Sequence, residues 1–441
     1  MSIANAAAEV SVHKTEALLY FTLLQLCIVV LAGRVGSTVA VRLAQATAVG
    51  EIIIGILLGP SLFGWLAPDT FNYVFHSVSG EPMQILSQIG LILLMFQIGI
   101  EFDFGHLTEK RNRRTAMAVA TAGLIFPFAL GFALGWYSAG AVSPSAHPVS
   151  TALFVATAFS ITALPILGRI MIEFKLTQTS IGVIAISAAA INDVVGWLLL
   201  AMVSALAISQ FQLGSFALNV LAVMAFAAVC WVVVRPLLKK LLARMQAKDP
   251  LSNNLLGIML AVIFMASMAT YKLGIFAIFG GFMLGVLLHD QTAFVKAWNE
   301  RLGQFVTVFF LPIFFTYTGL RTNITGLDTW QLWAWCMAVL ALATIGKFYG
   351  TYIAARMTGM TPSESKVLGI MMNTRALMEL IVINVGYDLG VISQNMFTML
   401  VIMAVFSTVI TSPCLRRWLP ACGLAPAPAD TTSAGRAAAA R

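Results

Sequence analysis

Ile181-Gly-Val-Ile-Ala-Ile-Ser-Ala-Ala-Ala-Ile-Asn-Asp-Val-Val-Gly-Trp-Leu-Leu-Leu200 is an apolar run long enough to cross a bilayer, and it carries an ionisable pair member at its centre, Asn192-Asp193. A carboxylate at mid-bilayer depth costs about 2.5 to 3.5 kcal/mol on insertion scales, so an acid kept there generally binds or moves something. The stretch therefore decides two things at once: the fold is a membrane fold, and Asp193 is its first candidate functional residue.

Working outward, the rest of the chain has the same character. Of 441 residues, 59% are hydrophobic and only 10% charged, whereas soluble domains run near 25% charged. A spanning helix needs roughly 20 apolar residues. Windows of that size centre near Cys27, Ile54, Leu93, Leu124, Phe159, Ile191, Val223, Ile263, Phe282, Phe310, Ala341, Leu380 and Ala404. The expected fold class is an all-α polytopic membrane protein of about 13 transmembrane helices. One transmembrane domain is expected over 1–422, with halves of about 17–208 and 253–414 and a linking span between them. The Ala/Pro/Thr-rich stretch 423–441 is expected to be a disordered cytoplasmic tail.

Net charge of +8 would suggest nucleic acid in a soluble protein. Here the basic residues sort by loop instead, and no nucleic-acid partner is expected. Arg34 and Arg42 follow the first span, Lys110-Arg111-Asn112-Arg113-Arg114 the third, and Arg235, Lys239, Lys240, Arg244 and Lys248 the seventh. The opposite connections carry few. The positive-inside rule then puts the N-terminus outside and the C-terminus in the cytoplasm, as an odd number of spans requires. The first apolar segment lacks a basic flank and reads as a retained span. Five scattered cysteines have no metal or redox spacing and read as packing residues.

Two spans look interrupted. Ala156-Thr-Ala-Phe-Ser-Ile-Thr-Ala-Leu-Pro-Ile-Leu167 offers the hydroxyls of Thr157, Ser160 and Thr162, and Pro165 removes a backbone donor. Met372-Asn-Thr-Arg-Ala-Leu-Met-Glu-Leu380 sets Asn373, Thr374, Arg375 and Glu379 in an apolar stretch. They are the fifth and twelfth spans and cross in opposite directions, which suggests an inverted repeat of two six-helix halves with crossed broken helices. Helix ends inside a membrane carry partial charges that need partners. Glu379 is expected near helix N-termini, and Lys347 or Arg375 near C-termini. Plainer readings exist for each: a proline-kinked helix at 165, a Lys347 that snorkels to the interface, and an Arg375–Glu379 pair that merely neutralises itself.

Taken together, Asn192-Asp193, Gly50-Glu-Ile-Ile-Ile-Gly-Ile-Leu-Leu-Gly-Pro-Ser61, Phe96-Gln-Ile-Gly-Ile-Glu-Phe-Asp103 and Asn373-Thr-Arg-Ala-Leu-Met-Glu-Leu380 resemble the monovalent cation:proton antiporter-2 family over nearly the whole chain. The resemblance is nearest to plant cation/proton exchangers and bacterial sodium(potassium)/proton antiporters. It implies the sodium/proton antiporter fold, with a dimer-forming domain and a mobile core, a homodimer, and exchange of Na+ or K+ for H+. It implies Asp193 as the ion-binding aspartate, Asn192 as its neighbour, and Lys347 as the family's lysine two spans before the end. Electrogenic members carry a second acid where this chain has Asn192, which suggests one-for-one exchange, with Lys347 as a second influence on the charge moved. Carriers gated by glutathione have a Gln-Asp pair and a nucleotide-binding domain, so ligand gating is not expected.

The expected chemistry needs no covalent step, no enzyme activity and no cofactor. Cation and proton compete for Asp193 during alternating access, the metal bound there being Na+ or K+. Asn192, Thr157 and freed backbone carbonyls supply neutral oxygens suited to a hard ion. Lys347, Arg375 and Glu379 compensate charge. Glu51, Glu101 and Asp103 are candidates for a cytoplasmic funnel, or for interfacial acids paired with Lys110 or Arg114. The expected setting is the lipid bilayer of a bacterial inner membrane. The rival reading is a proton-independent or ligand-gated potassium channel, but no filter-like glycine loop is present.

Overall fold

Helices account for nearly all of the secondary structure in the computed structural model, which describes residues 3–43, 45, 47–78, 80–101, 113–144, 146–176, 179–208, 213–245, 251–273, 276–375 and 377–424. Most of the tail expected from 423 onward, and the funnel candidate Asp103, lie outside the described residues. All thirteen positions named as span centres fall in helical segments. Among the described residues, eight helices are long and apolar enough to cross a membrane, or up to ten if each of two bent pairs is one span. Pro148–Ser160 and Ile278–Leu288 are shorter apolar helices outside that number.

The chain divides into two compact units, each drawn from both sequence halves. The first comprises 1–35, 51–102 and 218–323. Within it glycines let backbones touch. A Cβ at Gly285 would lie 2.3 Å from the Phe96 carbonyl oxygen, and one at Gly59 2.6 Å from that of Gly319. Such contacts exclude any larger side chain.

The second unit comprises 36–50, 103–217 and 324–441. Its main helices are α1 (Arg113–Val142), α2 (Pro148–Ser160), α3 (Leu164–Glu173), α4 (Ser180–Ile208), α5 (Trp330–Met357), α6 (Pro362–Met372), α7 (Leu377–Asp388) and α8 (Gln394–Trp418). Local chemistry sets their ends. Pro148 opens α2 at a position where the missing N–H costs nothing. Pro165 lacks the N–H that a continuous helix would donate to Ile161, so α2 stops at Ser160 and the chain runs extended before α3. Thr361 and Glu364 form a capping box at the start of α6, the pattern Thr-Pro-Ser-Glu announcing it. Ser393 caps α8 by accepting from the Met396 N–H at 3.2 Å.

α1 packs along α2 and α5. Against α2 the contact is backbone to backbone, since a Cβ at Gly135 would lie 2.6 Å from Ala152 Cα. Against α5, a Cβ at Gly350 would meet the Ala122 carbonyl oxygen at 2.9 Å. This small-residue packing replaces the hydrophobic drive that lipid removes, and it brings α2, α4 and α5 within reach of one another around α1.

Candidate functional site

The two interrupted spans meet at their breaks. α2 ends at Ser160, Ile161–Ala163 is extended, and α3 resumes at Leu164. Opposite it, α6 ends at Met372 and α7 begins at Leu377, bent by 43° from α6. The Ala163 N–H donates to the Thr374 carbonyl at 3.1 Å. The Thr162 hydroxyl donates to the Met372 carbonyl at 3.3 Å, so each break satisfies backbone groups freed by the other. Thr408 on α8 braces the junction: its hydroxyl accepts from the Arg375 N–H at 3.2 Å and also contacts the Arg375 carbonyl.

The last carbonyls of α2 have no partner within their own helix and point at two buried cations. Arg375 Nη1 donates to the Ala158 carbonyl at 2.7 Å and Nη2 to that of Phe159 at 2.8 Å. Lys347 Nζ donates to the Ser160 carbonyl. Both side chains are fully buried, so Lys347 does not snorkel to an interface. Cations at a helix C-terminus are favoured by up to about 2 kcal/mol in partly buried sites. Both buried cations thus meet the C-terminal end of α2. The end of α6 is met instead by neutral groups, with the Thr374 hydroxyl donating to the Met371 carbonyl at 2.8 Å.

Arg375 Nη1 also bonds Glu379 Oε1 at 3.1 Å, a fully buried ion pair one turn apart. The pair is therefore more than self-neutralising, because the same guanidinium holds the end of α2. Glu379 lies in the first turn of α7, where the helix dipole favours an anion. Its Oε2 is buried with no protein partner, as are both polar atoms of the Asn373 side chain.

Asp193 sits apart from this cluster on α4, 2% exposed, with Asn192 1% exposed beside it. Among the described residues no ammonium or guanidinium lies within 4.0 Å of its carboxylate. Trp197, one turn further along α4, interacts with it through the indole. Gly196, in the same turn, lets α4 approach the crossing, because a Cβ there would lie 2.9 Å from Ile161 Cγ1 and 3.6 Å from Met378 Cε. Both amide atoms of Asn192 are buried without a protein partner. Thr157 is buried on α2 and spends its hydroxyl proton on the Leu153 carbonyl at 2.7 Å, leaving its oxygen lone pairs to accept or ligate.

Of the funnel candidates, Glu51 is buried and Glu101 exposed, both in the first unit; Glu101 accepts from Gln97 Nε2 at 3.3 Å. The structure adds residues that the sequence did not single out: Thr408 at the crossing, Gly196 one turn from Asp193, and Gly123, which both Thr351 and Asn192 approach. A threonine or glycine in an apolar helix is too common to announce a site by itself.

Residues 26–420 match the family described as sodium/hydrogen exchanger, transmembrane. The chain belongs to that family and is an integral membrane protein. It is similar to the Na(+)/H(+) antiporter NhaS4 of Synechocystis, with 38% identity over 86% of this chain and 92% of the relative. It is also similar to cation/H(+) antiporter 17 of Arabidopsis thaliana, at 36% identity over 89% of this chain, which spans 47% of that longer protein. Its fold resembles that of the sodium proton antiporter MjNhaP1 from Methanocaldococcus jannaschii, with TM-score 0.64 over 93% of this chain and 99% of the other, at 13% identity. The expected sodium/proton antiporter fold and the family suggested by the motifs both hold.

Proposed function

We propose that this protein is a secondary active transporter exchanging a monovalent cation, Na+ or K+, for H+ by alternating access, with cation and proton competing for Asp193. The observation that carries the reading is a buried carboxylate with no cationic partner among the described residues, set beside two helices whose breaks meet. An unpaired buried acid is costly while charged and is stabilised by either a proton or a metal ion. Binding of either ligand neutralises the same group, so loading by one displaces the other. The names of the relatives as Na(+)/H(+) and cation/H(+) antiporters support the substrate class.

Asn192 and Thr157 complete the ion site in this reading with neutral oxygens, and Lys347, Arg375 and Glu379 hold the crossing together while compensating its helix dipoles. Glu51 and Glu101 act as an electrostatic funnel. The matching order of broken helix followed by continuous helix, α2–α3–α4 and α6–α7–α8, supports an inverted repeat. The reading includes a homodimer in a bacterial inner membrane, and the distribution of basic loops supports an N-terminus outside and a C-terminus in the cytoplasm.

The test is a pH-gradient dye assay in proteoliposomes, adding Na+, K+, Li+ and Rb+ separately. Exchange predicts dissipation of the gradient that saturates with cation and disappears in Asp193→Asn. Cation flux that proceeds without proton movement would favour a channel and reject the exchanger.

A further inference from the structure

Gly123 lies in the interior of α1, where glycine is less favourable than alanine. A Cβ at that position would meet Thr351 Oγ1 of α5 at 3.0 Å and Asn192 Nδ2 of α4 at 3.9 Å, with no other side chain or helix among the described residues within 4 Å. Both neighbours are polar. Thr351 is fully buried and Asn192 1% exposed. The Thr351 hydroxyl and both amide atoms of Asn192 lack a protein hydrogen-bond partner. Two helices therefore aim unpaired polar groups at one point on a third, where the side chain is missing.

Leaving buried polar groups unpaired is costly, so the arrangement is poor as packing alone. No hydrogen bond joins them, yet both reach the same point, so one small polar ligand between them satisfies both. Turning the Asn192 amide over exchanges its nitrogen for its oxygen, which makes the pair two neutral oxygen ligands. Neutral oxygens suit a hard monovalent cation, and their number and spacing set which cation is preferred.

We propose that Thr351 and Asn192, facing each other across the gap at Gly123, form a neutral subsite for a partly dehydrated monovalent cation adjoining Asp193, with Thr351 as a determinant of cation affinity and selectivity. This rests on the exchanger reading. Asp193 supplies the charge, and the subsite supplies the discrimination. Alanine at 123 would place a methyl group in the gap without disturbing α1.

The experiment measures apparent KM and maximal rate for Na+ and K+ in proteoliposomes for wild type, Thr351→Val, Thr351→Ser and Gly123→Ala, after size-exclusion chromatography and thermal unfolding establish that each variant folds. Loss of one ligand is expected to raise the apparent KM by about tenfold and shift the Na+/K+ ratio in Thr351→Val, with maximal rate little changed. Gly123→Ala is expected to move the same way, and Thr351→Ser to restore wild-type values. A folded Thr351→Val or Gly123→Ala with wild-type KM and ion ratio overturns the subsite. If Thr351→Val does not fold, Gly123→Ala decides, since alanine favours the helix. If the wild type exchanges nothing, the exchanger reading fails separately; calorimetric binding of Na+ and K+ to wild type and Gly123→Ala then decides the subsite.

Discussion

Arg375 Nη1 donates to the Ala158 carbonyl at 2.7 Å, so the side chain of one helix break closes the open end of the helix leading to the other. The same guanidinium bonds Phe159 and Ala343 carbonyls and the Glu379 carboxylate. One residue thus ties α2, α5 and α7 together beneath the crossing.

Removing one partner from this buried ion pair should destabilise the protein by about 3–5 kcal/mol, since it strands a charge in an apolar interior. Arg375→Ala should therefore lower the melting temperature in detergent sharply, and Arg375→Lys should recover only part, because an ammonium lacks the planar fork. The double variant Arg375→Met with Glu379→Gln should be more stable than Arg375→Ala. Equal melting temperatures for Arg375→Ala and wild type would show that the network is not what holds the crossing.

Asp193→Asn keeps the size and hydrogen-bonding capacity of the side chain while removing its titration. The expected outcome is a folded protein of ordinary melting temperature with no cation-dependent dissipation of a pH gradient. Retained exchange in this variant would move the proton-binding role elsewhere.

Lys347 bonds the Ser160 carbonyl and forms no salt bridge with Asp193. Lys347→Ala should accordingly cost about 1–3 kcal/mol of stability through the uncapped carbonyl end of α2, measured by thermal unfolding, while exchange persists. A folded Lys347→Ala protein with no exchange would assign the lysine a direct part in coupling.

Gly196→Val places two methyl groups where even a Cβ would stand 2.9 Å from Ile161. Overpacking of this kind costs about 1–3 kcal/mol. It should also push α4 away from the break, so the apparent KM for cation should rise together with the loss of stability. A variant with wild-type melting temperature and kinetics would show that α4 does not need this close approach.

A surface group gives a pH test. Burial alone would raise the Asp290 carboxyl, but hydrogen bonds from Lys239, Gln291 and Arg235 outweigh it and hold it down at about 2. A folded-state value below the unfolded one, about 3.9, means the contribution is present above that value and fades as pH falls toward about 2. Wild type should exceed Asp290→Asn in melting temperature at neutral pH, with the gap narrowing below about pH 4 and shrinking in high salt. A gap independent of pH would exclude the ion cluster as its source.

Much of the site was legible in order but not in arrangement. The apolar windows gave the helices, and Pro165 and the polar run Asn373–Glu379 marked the two breaks. Asp193 was visible because an acid in an apolar run has no bland explanation. What no periodicity could supply was which cation serves which helix end: Lys347 and Arg375 both go to α2, while hydroxyls serve α6. Nor could it reveal that Gly123 and Gly196 matter, since a missing side chain acts only through what stands opposite it.

The sequence by itself determined that the chain lives in a bilayer, where it breaks, and that Asp193 is an acid set inside an apolar span, because hydrophobicity, proline and charge act on the local chain wherever it is placed. Only the tertiary structure decided that the two breaks bond to each other, that Asp193 stays clear of the buried cations, and that Thr351 and Asn192 meet across a glycine. Those are relations between residues remote in the chain, fixed by how closely small side chains allow the helices to approach.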